Sequence, residues 1–333
     1  MLSRAANNLF WMARLIERAE NMARLVDVNT QFLLDANLNP DAPAAAGWQP
    51  ILAATSLEDA FREQHDAEPK LNAADFLALS PDNPESIREC IAQARENARM
   101  VRDQISEEMW RELNRLHLFL KSPSAEDEWS FSSQEFCERI IQFSLLFHGI
   151  TDATIEHGEE WLFIRLGKFL ERADKTTRIL DIPSHLGPLL PVAPWPTVLR
   201  ACSARSSFLA NFGATISREK TLSLLLFSHS FPRSVRFCLN QVDDALHRIS
   251  STPRGGFANE AERLAGATLA AVDFNGSSDL EAMGIHEYAD RLQKQLNAIG
   301  QQIFETYVLL PSYLEESPQS GYAMMSRQSQ SQQ

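Results

Sequence analysis

No run of this 333-residue sequence stays apolar for the roughly 18 residues that a membrane-spanning helix needs, so no span is expected. Cysteine is scarce. Cys90, Cys137, Cys202 and Cys238 are scattered with no Cys-x-x-Cys pair, a pattern that fits reduced thiols in a cytoplasm and argues against a structural zinc site. Positive charge is short: 31 Lys and Arg face 44 Asp and Glu, a net charge of −13. Such a balance argues against nucleic acid or an anionic membrane as the main partner. Glycine is also short, at 13 residues, and the abundance of Ala, Leu, Glu, Arg and Gln favours helix. Nucleophile elbow, Walker loop and dinucleotide fingerprint are all missing. The Pro253-Arg254-Gly255-Gly256 stretch follows no strand pattern and is a poor phosphate loop. The sequence therefore calls for no cofactor and offers no recognisable catalytic motif.

What is present is an amphipathic helix met twice. From Leu9 to Asp27, Leu9, Met12, Ile16, Ala19 and Ala23 share one helical face, while Arg14, Glu17, Arg18, Glu20 and Arg24 fall opposite. From Phe163 to Asp181 the pattern returns: Glu171-Arg172-Ala173-Asp174 repeats Glu17-Arg18-Ala19-Glu20, 154 residues later, and Lys168 stands where Arg14 stood. A solvated helix back needs charges of some kind, but not the same acid-base-small-acid order in both copies. The alternative to a wet, salt-bridged back is that the two helices approach and their charges form one shared, partly buried cluster of Arg14, Glu17, Arg18, Lys168, Glu171 and Arg172.

Other matches keep the same order. Pro232-Arg233-Ser234-Val235-Arg236-Phe237-Cys238 echoes Pro84-Glu85-Ser86-Ile87-Arg88-Glu89-Cys90, and Trp195, Leu199 and Phe208 follow a Pro-rich connection as Trp48, Leu52 and Phe61 follow an earlier one. One tandem duplication of about 150 residues accounts for these offsets. The expected architecture is all-α, a duplicated helical bundle with two related halves, residues 1–150 and 151–310, about a pseudo-twofold axis. A Ser- and Gln-rich tail, residues 311–333, reads as disordered. Expected helices include Ser3 to Leu34, Ile51 to Gln64, one capped by Asn83 and running to Gln104, one opening at Ser106, Ile155 to Leu180 and His286 to Val308. Ser122 to Ser130 reads as a polar break.

Leu2-Ser3-Arg4-Ala5, Phe10-Trp11-Met12-Ala13-Arg14 and Glu17-Arg18-Ala19-Glu20 resemble the opening of the alpha-E domain family, bacterial all-helical proteins named for an internal Glu-Arg motif. Pro84 to Arg88, Ala94 to Arg99, Ser106 to Trp110, Trp161 to Asp181 and Pro232 to Arg236 extend the resemblance over about residues 1–310. It implies association with circularly permuted ATP-grasp, amide-ligase-like proteins and with transglutaminase-like peptidases, and so a place in peptide or amide-bond synthesis or processing. This chain has neither of those domains. Its second motif copy departs from the first at Lys168 for Arg14 and at Arg165 for Trp11.

Two functions compete on this basis. The first is a cytoplasmic, non-catalytic adaptor or substrate-presenting partner of an ATP-grasp-type ligase or transglutaminase-like peptidase. The second is an enzyme whose cleft is lined by the paired motifs, with Glu17 or Glu171 as general base. Self-association into a homo-oligomer is a third option. Arg88, Arg95, Arg99 and Arg102 make a narrow basic stripe suited to an anion, unless neighbouring acids absorb it. Only Arg88 is echoed, by Arg236, so Arg88, Arg95, Arg99 and Arg236 are the anion-binding candidates and Arg88 and Arg236 the first choices for a shared site. No metal site is expected: Glu156, His157, Glu159 and Glu160 spread around their helix, and the Asp244/His247 pair has no second pair to complete it.

Overall fold

The computed structural model describes residues 3–35, 47–67, 72–186 and 195–309. Among these residues all regular structure is helical and no strand occurs. The expected tail, residues 68–71 and most of both Pro-rich connections lie outside the described residues.

Two long helices occupy the centre, α1 (Ser3–Asp35) and α9 (Glu159–Asp181), and they pack on one another. Between them come α2 (Gln49–Thr55), α3 (Glu58–Ala67), α4 (Ala73–Ala78), α5 (Ile87–Met100), α6 (Glu107–Leu120), α7 (Pro123–Phe131) and α8 (Ser133–Thr154). After α9 a 3-10 turn (Ile182–His185) leads to α10 (Trp195–Ala201), α11 (Arg205–Phe212), α12 (Arg218–Phe227), α13 (Val235–Ser250), α14 (Glu260–Phe274) and α15 (Gly276–Phe304). The apolar face of α1, with Leu9, Met12, Ile16 and Ala23 fully enclosed, packs against α5 and α8. In the same way α9 packs against α13 and α15, α6 covers α5 and α8, and α14 covers α13 and α15.

Local chemistry sets the helix ends. Ser86 and Ser234 cap α5 and α13 by accepting from the backbone N–H three residues on. The expected cap, Asn83, does something else. Its side-chain oxygen accepts from Glu85 N–H at 3.0 Å and its amide donates to the Phe76 carbonyl at 3.0 Å, which fixes the turn between α4 and α5 and moves the helix start to Ile87. The expected single helix from Ile51 to Gln64 is two, broken at Ser56, whose φ of 62° ends α2 in a left-handed cap. The expected polar break after Ser122 is α7. Pro123 enters the first turn and Glu126 stands near the positive end of the dipole, so a polar, mostly exposed segment still forms a helix. The helix expected from Ile155 starts at Glu159. The last one begins at Gly276 and kinks at Gly284, whose φ is 80°.

Where α1 and α9 cross, backbone meets backbone. A Cβ on Gly167 would stand 2.2 Å from the Phe10 carbonyl oxygen and 3.2 Å from the Ala13 Cβ. The absence of a side chain at this one position lets the helices approach closely enough for their charged side chains to interlock.

Candidate functional site

The charges that α1 and α9 carry towards each other close into a network across the interface. Arg172 grips Glu17 with two hydrogen bonds, Nε to Oε1 at 2.8 Å and Nη2 to Oε2 at 2.7 Å. Arg18 grips Glu171 in return, Nε to Oε1 at 2.7 Å and Nη2 to Oε2 at 3.3 Å, and Arg14 adds a bond of 2.7 Å to Glu171 Oε2. Arg24 binds Glu20 within α1 as Arg178 binds Asp174 within α9. Each of these outer arginines also reaches a serine hydroxyl across the molecule: Arg24 meets Ser203 and Arg178 meets Ser56. Both serines have positive φ, 51° and 62°. Glu17, Glu20 and Glu171 are completely enclosed. Every one of them accepts two or more charge-assisted bonds, which is what allows a carboxylate to remain ionised away from water.

Three charged residues that sequence reasoning passed over join the network: Arg233, Glu85 and Lys175, whose ammonium lies 3.5 Å from Glu171. Arg233 reaches Glu17 at 3.2 Å and also binds Glu20. Glu85, at the matching place before α5, accepts from Arg18 at 2.9 Å and lies 3.6 Å from Lys175. The signal was present in the Pro-x-Ser motif. Its variable position is basic in one copy and acidic in the other, and each sign complements the motif it faces. Asn21 and Ser144 supply further donors, to Glu17 and Glu20.

Burial alone would push the Glu17 and Glu171 carboxyls up. Arg172 and Arg233 override it for Glu17, as Arg14 and Arg18 do for Glu171, and both are held well below the ordinary carboxylate range. His148, on α8, has its Nε2 3.4 Å from Glu17 Oε2, too poorly aligned for a hydrogen bond. Burial first, then the nearby Lys168, pushes its imidazole down to about 4. The unfolded chain therefore takes up a proton before the folded one does, and the contribution of this residue is full above pH 6.5 and lost as pH falls from about 6.5 towards 4. The melting temperature is expected to drop across that window, and more shallowly in His148→Gln. Parallel melting curves for the two proteins between pH 7 and pH 4 would refute this assignment.

Lys168 stands apart from the network. Among the described residues it has no carboxylate at ion-pair distance. Its ammonium lies 5.4 Å from the Phe169 ring centre, beside a pocket of about 70 Å³ that His148, Asp152, Trp161 and Arg165 also line. Burial, then Arg172, pushes its amine down to about 8. Lys168→Met is expected to stabilise the fold by about 1 kcal/mol, because it removes a partly desolvated charge without orphaning a partner. Thermal unfolding at pH 7 measures this, and a lower melting temperature would show that the ammonium is stabilising.

The arginine candidates outside the motifs are engaged elsewhere. Arg88 donates to Glu126 at 2.9 Å, and Arg236 binds Asp273 through two bonds of 2.9 and 3.1 Å. The residues that serve the shared network from these two segments are Glu85 and Arg233 instead. Arg95 binds Glu96 and Asn114 and lies over Trp110, while Arg99 binds the same Glu96. His157 stacks on Trp161. Asp244 pairs with Arg254, and His247 turns to the Asp243 and Gly256 carbonyls. All four cysteines are free and buried, and burial pushes the thiols of Cys90, Cys202 and Cys238 up to about 12, so they behave as core.

Residues 1–308 match a family described as a predicted alpha-helical domain with a conserved ER motif. The chain is 24% identical over 257 residues to an uncharacterized protein of Mycobacterium bovis, and equally so to two of Mycobacterium tuberculosis. The matched part is 72% of this chain but 29% of each relative, so the chain spans well under half the length of these curated relatives. No solved structure matches it. With Glu-Arg pairs at Glu17-Arg18 and Glu171-Arg172 holding its two central helices together, the chain belongs to the Alpha-E family.

Proposed function

We propose that this chain is a non-catalytic helical partner, an adaptor or substrate-presenting module, of an ATP-grasp-type amide ligase or transglutaminase-like peptidase, working in the cytoplasm. One observation carries the reading: neither motif carboxylate has an exposed edge. Glu17 and Glu171 are enclosed, their oxygens are taken by guanidinium groups, and their pKa values are depressed. A general base needs a free lone pair at a substrate and a pKa near the working pH, and these carboxylates have neither. The length of the curated relatives also supports it, since there the matched region is one part of a much larger protein. The ligase and peptidase association rests on the family resemblance.

The same network supports a duplicated architecture with a pseudo-twofold axis between α1 and α9. Arg18–Glu171 answers Arg172–Glu17, Arg24–Ser203 answers Arg178–Ser56, and α5 lies on α1 as α13 lies on α9.

Purified chain mixed with the ATP-grasp-type protein from the same organism is expected to co-elute on size exclusion and to bind saturably by calorimetry. Absence of a complex with both the ligase-like and the peptidase-like protein overturns the proposal. Glu17→Gln and Glu171→Gln separate the enzymatic alternative: loss of stability with retained pathway output supports a structural network, whereas loss of output in a protein of unchanged stability supports catalysis.

A further inference from the structure

The structure assigns a divalent transition-metal site to Asp181, His185 and His286, at the C-terminal end of α9. His185 Nε2 lies 3.0 Å from Asp181 Oδ2, and His286 Nδ1 lies 2.9 Å from both oxygens of the same carboxylate. The three candidate ligand atoms sit within 4.8 Å of one another. The imidazole rings meet edge to face, 5.4 Å apart and inclined at 87°. Metal bonds of about 2.0–2.2 Å place neighbouring ligand atoms about 3–3.5 Å apart, so these side chains need only small rotations to share an ion.

The charge environment is what separates this cluster from ordinary hydrogen bonding. The buried acids of the network, Glu17, Glu20 and Glu171, each have arginine partners. Asp181 is buried too, at 6% exposure, yet among the described residues its ion-pair partners are the two imidazoles. A buried carboxylate without a firm cation is costly, and a divalent ion would neutralise it. A second cluster of possible ligands, Glu17, Glu20 and His148, gives the contrast. There Arg172 and Arg233 already occupy the carboxylates, so no ion is called for. The matching place on α1 has Asp27 bonded to Gln31, 154 residues before Asp181 and His185, so only α9 is equipped this way.

Two imidazoles and one carboxylate suit Zn²⁺ and its neighbours rather than Mg²⁺ or Ca²⁺, which take oxygen ligands. His286 is 60% exposed, so the site faces solvent and leaves room for a water or an outside ligand in a fourth position. The Gly284 kink, with its φ of 80°, stands two residues before His286, where α15 changes direction.

The test is titration of the chelator-treated, tag-free full chain with Co²⁺, followed by visible absorption, with Zn²⁺ as competitor. One equivalent of Co²⁺ is expected to give saturable bands that Zn²⁺ abolishes and excess Mg²⁺ does not. His185→Ala and His286→Ala should each weaken binding at least about tenfold, with helical circular dichroism unchanged, because His286 is exposed and His185, on the 3-10 turn after α9, is partly so. No saturable signal in the wild-type chain overturns the assignment. So does a wild-type signal that survives in the His185→Ala/His286→Ala double variant.

Discussion

Glu17→Gln is expected to destabilise the protein by about 3–5 kcal/mol, the largest effect of any single substitution considered. The reason is what stays behind. Arg172 and Arg233 are both buried, and both lose half or more of their charge compensation when Glu17 becomes neutral. Glu20 still binds Arg233, so the larger penalty falls on Arg172, whose Nε and Nη2 both donate to Glu17. A double-mutant cycle with Arg172→Met isolates this pair. Each single change leaves an uncompensated charge or cavity, whereas the double variant removes both partners and is expected to recover about 1–3 kcal/mol relative to the sum. Urea unfolding monitored by circular dichroism gives all four corners. Additive losses would mean that the reciprocal arginine–glutamate bonds do not clamp α1 to α9.

Gly167→Ala should cost about 1–3 kcal/mol, against the usual direction for glycine in a helix. In an exposed helix interior the same change gains about 0.5–1 kcal/mol. At Gly167 the new methyl would meet the Phe10 carbonyl oxygen at 2.2 Å, and backbone cannot swing away as a side chain can. The two helices must separate, and the hydrogen bonds across them lengthen together. Gly149→Ala on α8 is the control: nothing lies within 4 Å of its would-be Cβ, so it should stabilise. If both variants move the melting temperature upward, the crossing of α1 and α9 is looser than described.

How far the sequence could be read depends on the kind of signal each feature leaves. Helical class and most helix positions were legible, because apolar spacing and serine caps are local: Ser106 caps α6 where that helix is expected to open. The break at Ser56 was not legible, since a left-handed residue other than glycine leaves no compositional trace. Nor was α7, whose polar composition masks a good proline start. The motif residues Glu17, Arg18, Glu171 and Arg172 drew notice because their order repeats. Arg233 and Glu85 did not, because attention to what is repeated discards the position that differs, and at that position the sign is what suits the charge each residue meets on α1, Glu17 for Arg233 and Arg18 for Glu85. The Asp181, His185 and His286 cluster was beyond spacing arguments altogether, since 105 residues separate its first and last members.

The reach of the charge network has a consequence for biosynthesis. Glu17 leaves the ribosome 155 residues before Arg172 and 216 before Arg233. At about 5–20 residues per second, α1 waits on the order of 10 s for the first of its partners on α9. Through that interval Arg18 can meet Glu85 and Glu20 can meet Ser144, but Glu17 and Arg14 wait for α9, while the apolar side of α1 has α5 and α8 to lean on. The nascent N-terminal segment thus spends its early life as a half-finished bundle whose seam stays open until α9 is translated.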